Sequence, residues 1–451
     1  MPRRSKRRVV LPAQLKQVHL HAAGVDVGSE FHCVAVPPDR DEQPVRSFGA
    51  FTADLEALAD WLSRCGIETV AMESTGVYWI ALFELLESRG FQVLLVDSRR
   101  LKSVPGRKTD ILDCQWIQQL HTFGLLSGAF RPVEEVCVLR AYMRQRTMLV
   151  QYAAQHIQHL QKALHQMNIK LDKVVSDITG STGMAILEAL LEGERNPLKL
   201  AQLRHPQCQN DEATFAKALH GNWREEHLFS LRQAMALYKT YHQQIAECDR
   251  QIEHHLGSFS SKSDPTQPAP KKKGGKPSRN QLRFEARQIL QRITGVDLTR
   301  IDGIDDHTAL KILSEIGTDM SRWPTVKHFT SWLGLCPGSR QSGGKKLSGR
   351  TKPCANRAAA ALRMAASSLH RSQTALGAYL RRMKARLGAP QAITATAHKL
   401  ARLLYFALKH GWNYVDPGQN WYEHQYQDRI LKSLTRKASQ LGYQLVPQLS
   451  P

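Results

Sequence analysis

Nowhere in the 451 residues do 18 apolar residues run uninterrupted, which excludes a membrane-spanning helix. The start, Met1-Pro2-Arg3-Arg4-Ser5-Lys6-Arg7-Arg8, is basic but lacks the apolar core and small-residue cleavage site of a secretory signal. Cysteine is sparse and scattered, at 33, 65, 114, 137, 208, 248, 336 and 354, with no CxxC pair. That argues against a zinc ribbon and a disulfide scaffold and fits a reducing compartment. No GxxxxGK[ST] loop is present, so nothing points to a phosphate-cradling ATP site. Acidic residues are in deficit: 40 Asp and Glu face 62 Lys and Arg, for a net charge of +22 and a pI near 9.8. Such an excess is the footprint of a protein that binds phosphate backbones. The rest of the composition, 42% apolar and 23% charged, is that of an ordinary globular chain. Its length is enough for two to four structural units at roughly 100–200 residues each.

The pattern along the chain changes several times. Residues 1–17 read as a flexible basic arm. From 18 to about 135, strands at 21–27, 31–36 and 45–51 are followed by a helix at 53–64, a strand at 69–72, a helix near 78–89, a strand at 91–96 and a helix at 109–123. Three hairpin-like strands followed by alternating helix and strand predict a mixed sheet with helices on its faces. Within 136–256 two runs carry apolar residues in steps of three and four: Val150, Ala153, Ile157, Leu160, Leu164, Met167, then Leu231, Ala234, Tyr238, Tyr241, Ile245, Cys248, Ile252. This spacing suits an antiparallel helical hairpin, an oligomerising coiled coil or an ordinary bundle. Residues 257–282 form a Lys-, Pro- and Gly-rich linker, and 283–412 is helix-rich with a Gly/Ser/Lys-rich loop at 337–352. The polar and aromatic stretch 413–451 reads as a tail without an assigned role.

Four carboxylates stand out by position. Asp26 closes the first strand and Glu73 directly follows the fourth, while Asp110 and Asp113 lie one turn apart at the start of a helix. Hard divalent cations take oxygen ligands, and phosphodiester chemistry uses such ions to neutralise charge on the attacked phosphate. Taken singly, each has an ordinary explanation: Asp110 and Asp113 suit a helix N-terminus, and Glu73 a turn.

Together with their neighbours they carry a resemblance. Gly24-Val25-Asp26-Val27-Gly28, Met72-Glu73-Ser74-Thr75-Gly76-Val77-Tyr78 and Lys108-Thr109-Asp110-Ile111-Leu112-Asp113 resemble the DEDD transposases of insertion sequences, a family related to Piv-type DNA invertases. The resemblance implies an α/β RNase H-like (RuvC-like) N-terminal domain over 18–135. It further implies a mainly α C-terminal transposase domain at 283–412, while the apolar spacing predicts an α-helical coiled-coil middle region at 136–256. In such proteins the acids matching Asp26, Glu73, Asp110 and Asp113 form a catalytic tetrad that holds Mg²⁺, or Mn²⁺ in its place.

The C-terminal half carries two further likenesses. Residues 301–317 are similar to a helix-hairpin-helix element, whose loop amides can face a phosphate, although Asp305 and Asp306 sit awkwardly in such a loop. Leu333-Gly334-Leu335-Cys336-Pro337-Gly338-Ser339-Arg340-Gln341-Ser342-Gly343-Gly344-Lys345-Lys346 resembles the family's signature loop, in which the serine before glycine is the nucleophile. Ser342 is the matching position, with Ser339 and Ser348 as rivals. Arg340, Lys345 and Lys346 are candidate phosphate ligands there, as are Arg99, Arg100, Lys102, Arg107 and Lys108 beside the tetrad.

The resemblance implies a transposase or site-specific recombinase that cuts and exchanges strands through a serine–DNA phosphoester. Its partners would be double-stranded donor and target DNA, a structured noncoding guide (bridge) RNA, and further copies of itself as a dimer or tetramer. Its place would be the cytoplasm, at the bacterial nucleoid. The middle segment, linker and tail are longer than in compact members, which bears on RNA shape and subunit geometry rather than chemistry. Two other readings compete: a RuvC-like nuclease in which water attacks, and a non-catalytic nucleic-acid-binding protein. Asp26-Val27-Gly28 also resembles the first phosphate loop of actin-like ATPases, but no second loop accompanies it.

Overall fold

The computed structural model describes residues 16–74, 76–97, 110–262, 280–338, 340–351, 353–411 and 414–446. Within 110–111 and 339–352, the side chains of Asp110, Ile111, Arg340, Gln341 and Lys346 are not described. The basic arm and most of the Lys-rich linker lie outside the described residues. The chain forms two compact units, 1–131 and 132–451.

The first unit is a five-stranded mixed sheet ordered β3-β2-β1-β4-β5, with β1 at Ala22–Val27, β2 at Phe31–Ala35, β3 at Val45–Gly49, β4 at Thr69–Glu73 and β5 at Gln92–Val96. The first three strands form an antiparallel meander, and β4 and β5 then add parallel to β1. This is the arrangement expected from hairpins followed by α/β alternation. One face carries Ala23, Val25, Val27 and Val34 against α1 (Thr52–Arg64) and α2 (Trp79–Ser88). Leu55, Leu58, Ala59 and Leu62 recur on one side of α1 and are all buried there. The opposite face, formed by the alternate residues, receives α3 (Asp110–Thr122), which packs Ile117 on Ala71 and Val96 and Cys114 on Cys33 and Ala35.

The second unit is largely helical. Two 33-residue helices, α4 (Glu134–Gln166) and α9 (Glu225–Gly257), lie antiparallel: Glu135 meets His255, Arg146 meets Asp249, and Tyr152 meets Tyr241. The two apolar runs thus realise the antiparallel hairpin; a supercoil is not established. Arg146 and Asp249 are each 2% exposed and 2.6 Å apart, and the Arg146 guanidinium also donates to the Asn280 and Gln281 carbonyls. The span between the long helices folds into α5 (Leu171–Val174), α6 (Ser181–Glu192), α7 (Pro197–Gln202) and α8 (Glu212–Leu219), which close a core around Leu164, Ile186 and Phe215.

Beyond α9 come α10 (Ala286–Thr294), α11 (Asp306–Ile316) and α12 (Val326–Trp332). They are followed by the ribbon of β6 (Arg340–Ser342) and β7 (Lys345–Ser348), then α13 (Arg357–Ser368), α14 (Ala375–Leu387), α15 (Ala389–His410) and α16 (Gln419–Gln440). Arg140 and Arg144 of α4 hold the end of α11. Arg140 donates to the Glu315 carbonyl at 2.8 Å, and Arg144 makes a bidentate pair with the Glu315 carboxylate at 2.8 and 3.0 Å. The expected loop at 337–352 is a β-hairpin instead. Gly343 and Gly344 take φ of +53° and +74°, which supplies the mirror-image two-residue turn that a tight hairpin needs. The tail contains a 22-residue helix, α16.

Candidate nucleic-acid-processing site

Strands β1 and β4 pair in register from Ala22 with Thr69 to Val25 with Met72. Asp26 and Glu73 are therefore the next residues on neighbouring parallel strands, and equal parity sends both side chains to one face. That face is the one covered by α3. A Cβ built on Gly24, two residues before Asp26, would come within 2.3 Å of the Gln118 nitrogen and 2.5 Å of the Cys114 carbonyl oxygen. Only glycine lets the α3 backbone rest there. The helix runs against β1, since Gln118 donates to the Ala22 carbonyl at 3.4 Å whereas Cys114 meets Cys33, the residue paired with Asp26. Its first turn, with Asp110 and Asp113, is thus carried to the C-terminal ends of β1 and β4. Asp26, Glu73 and Asp113 are brought to one end of one sheet face.

The surroundings hold this end in shape. Ser74 fixes the exit from β4, because its N–H and its hydroxyl both donate to the Val96 carbonyl at 2.9 Å. Gly28 turns β1 into β2, donating to the Phe31 carbonyl at 3.2 Å; a Cβ there would lie 2.5 Å from that oxygen. The turn bounds a cleft of about 290 Å³ lined by Asp26, Gly28, Glu30 and Cys33 among others. Asp26 is partly exposed to this cleft, and Glu73 is 9% exposed.

Two cysteines and Glu30 are features the sequence reading missed. Cys33 and Cys114 stand 81 residues apart, with no spacing motif to join them, yet their sulfurs are 3.3 Å apart behind Asp26. The Cys33 contact, burial and the nearby Asp26 charge all push the Cys114 thiol up from its ordinary value. It therefore stays protonated at neutral pH.

The donor set at this end is carboxylate oxygen, the chemistry that suits Mg²⁺ or Mn²⁺. Among the described residues no three His, Cys, Asp or Glu side chains close around one point. The Asp110 side chain, the fourth candidate, lies outside them, as do Arg99, Arg100, Lys102, Arg107 and Lys108.

Ser342 belongs to the second unit. It ends β6, is exposed, and pairs directly with Lys345 across the Gly343-Gly344 turn. Cross-strand partners share a face, so the Lys345 and Ser342 side chains leave the ribbon on the same side. The rival Ser348 is engaged, its hydroxyl accepting the Arg350 N–H at 3.2 Å. Ser339 lies outside the described residues, and Arg340 and Lys346 are placed only by their backbone, in the ribbon. In the 301–317 segment the acids have a structural task. Asp305 caps α11, accepting from the Thr308 N–H at 2.8 Å, and Asp306 begins the helix.

Comparison with known families matches residues 23–169 to a transposase model of the DEDD IS110 type. Residues 296–381 match the transposase IS116/IS110/IS902 family. The first match spans the two strands and the helix that carry the four acids, and the second spans the ribbon with Ser342. No curated protein matches the chain.

Proposed function

Because the chain belongs to the DEDD transposases of the IS110 type, we propose that it cuts and rejoins DNA strands, with Asp26, Glu73, Asp110 and Asp113 as metal-holding carboxylates and Ser342 as nucleophile. The observation that carries this reading is the shared placement of Asp26 and Glu73 on adjacent parallel strands, under the helix that bears the other two acids. Divalent ions held by these oxygens would neutralise charge on the scissile phosphate and favour the alkoxide form of an attacking hydroxyl.

Everything else falls to side chains of this chain. The Ser342 oxygen attacks phosphorus, and the bond from phosphorus to the 3′ oxygen breaks. The serine gives up its proton, and the departing 3′ oxygen gains one. The products are a phosphoserine ester to the 5′ side and a free 3′ hydroxyl. Lys345, paired with Ser342 across the ribbon, offsets phosphate charge, with Arg340 and Lys346 of the same ribbon as further candidates. Attack on the ester by a 3′ hydroxyl of another strand reverses these steps, so joining needs no nucleotide cofactor. The net charge of +22 suits a protein that grips nucleic-acid backbone and leaves sequence reading to a structured guide RNA, and the family resemblance supports assembly into a dimer or tetramer.

The test uses full-length protein, RNA co-expressed with it, Mg²⁺ and labelled DNA carrying the element's junction. A denaturation-resistant protein–DNA adduct is expected in the wild type, with its rate falling on the order of 10³-fold or more in Ser342→Ala and Asp26→Ala. Cleavage without adduct, insensitive to Ser342→Ala, makes the chain a RuvC-like nuclease in which water attacks.

A further inference from the structure

Three helices near the C-terminus bring cations together without acids. Lys399 of α15 lies 3.9 Å from the centre of the Tyr379 ring on α14 and 5.7 Å from that of Tyr422 on α16. The two rings meet edge to face at 6.1 Å. Arg382 of α14 stacks over Tyr426 of α16. Arg402 lies one turn along α15 from Lys399, and Arg429 lies one turn along α16 from Tyr426; both are exposed. Burial followed by the Arg429 and Arg402 charges lowers the Lys399 ammonium from its ordinary value. The acids of α16 are engaged elsewhere: Asp428 pairs with His424 at 3.4 Å, and Glu423 accepts from Gln419 at 2.7 Å. Among the described residues no carboxylate stands within ion-pair distance of Lys399, Arg382, Arg402 or Arg429.

Like charges gathered on a rigid floor repel one another unless an anion joins them. The cluster also continues as a line. Arg429, Lys432 and Arg436 recur at i, i+3 and i+7 along α16, a stripe about 10 Å long on one side of an exposed helix. A point cluster would suit a small anion, whereas a line of charge on an open surface suits a polymer of phosphates. Most of these residues lie beyond 381, outside both matched segments, so the family match does not account for them.

We propose that α14, α15 and α16 form a backbone-binding surface for double-stranded DNA, with Lys399, Arg402 and Arg429 as its centre and the α16 stripe as its extension. The tyrosine rings hold the cations in place rather than read bases, so the surface grips DNA without regard to sequence. The proposal rests on the reading that the chain acts on DNA.

The test is a binding measurement that involves no cleavage. Full-length protein in EDTA is titrated against a fluorescent duplex over a series of salt concentrations. Each phosphate that a variant no longer neutralises should reduce the slope of log affinity against log salt by about 0.9. Arg402→Gln/Arg429→Gln should therefore flatten it by about 2, weaken binding at least about tenfold, and leave the thermal midpoint unchanged. Arg402→Lys/Arg429→Lys should restore the slope, because charge rather than fork geometry is what counts here. An unchanged slope in the Gln variant overturns the proposal. So does loss confined to a structured RNA probe with duplex binding intact, or loss accompanied by a lowered thermal midpoint that the Lys variant does not repair. Failure of the wild type to bind any duplex removes the functional reading itself. Loss of the adduct in Ser342→Ala leaves the binding slope untouched, so the two failures are distinguishable.

Discussion

The end of the β-sheet that carries Asp26 and Glu73 and the ribbon that carries Ser342 are built on opposite plans. The sheet end is over-determined: β1 is the central strand, α3 rests directly on Gly24, and Ser74 ties the exit from β4 to β5. The ribbon is two short strands with an exposed tip, the kind of hairpin that is marginal alone. Under the proposed mechanism, carboxylates that share ions need fixed separations, whereas a serine that becomes joined to a cleaved strand gains from a small, compliant support. Rigidity and compliance are thus assigned to different parts of one chain.

Three perturbations should break or sharpen this contrast. The largest effect is expected from Gly24→Leu, which drives a side chain into the α3 backbone. It should cost about 3 kcal/mol of stability in urea unfolding and abolish metal-dependent cleavage. Normal activity in that variant would show that α3 does not need its seat. Next is acid. His121, on the same helix, is held at about 4 by burial and by His19. Its unfolded value is near 6.5, so as pH falls from 6.5 toward 4 the unfolded chain binds a proton that the folded one refuses, and stability is lost. Between pH 7 and pH 5 this amounts to about 2 kcal/mol, which should vanish from the urea midpoints of His121→Gln relative to its own pH 7 value. The smallest global effect belongs to Gly343→Val, which costs the turn about 1 kcal/mol in backbone strain. The urea midpoint should barely move while adduct yield drops; equal loss of both would mean the ribbon is part of the core.

What the sequence disclosed follows the same division. Apolar alternation and helical spacing placed every described strand and helix of the first unit to within a few residues, because burial on two sheet faces leaves a strong pattern. The acids were visible for the same reason, since Asp26 and Glu73 end buried strands. Cys33 and Cys114 were invisible because only the folded sheet joins them. The ribbon read as a loop because Arg340, Gln341, Lys345 and Lys346 are poor strand formers, and its strands are set by the Gly343-Gly344 turn. The tail concealed α16 because that helix has no buried residue and docks through tyrosine rings and cations rather than an apolar stripe.

The cap on α11 bears on where a phosphate can settle. With the Asp305 carboxylate closing the first turn and Asp306 buried behind it, the helix end that would otherwise attract phosphate already holds an acidic side chain of its own. A strand approaching the 301–305 turn meets a fence rather than a socket. On a chain of net charge +22, such a patch takes one landing place away from a long polyanion.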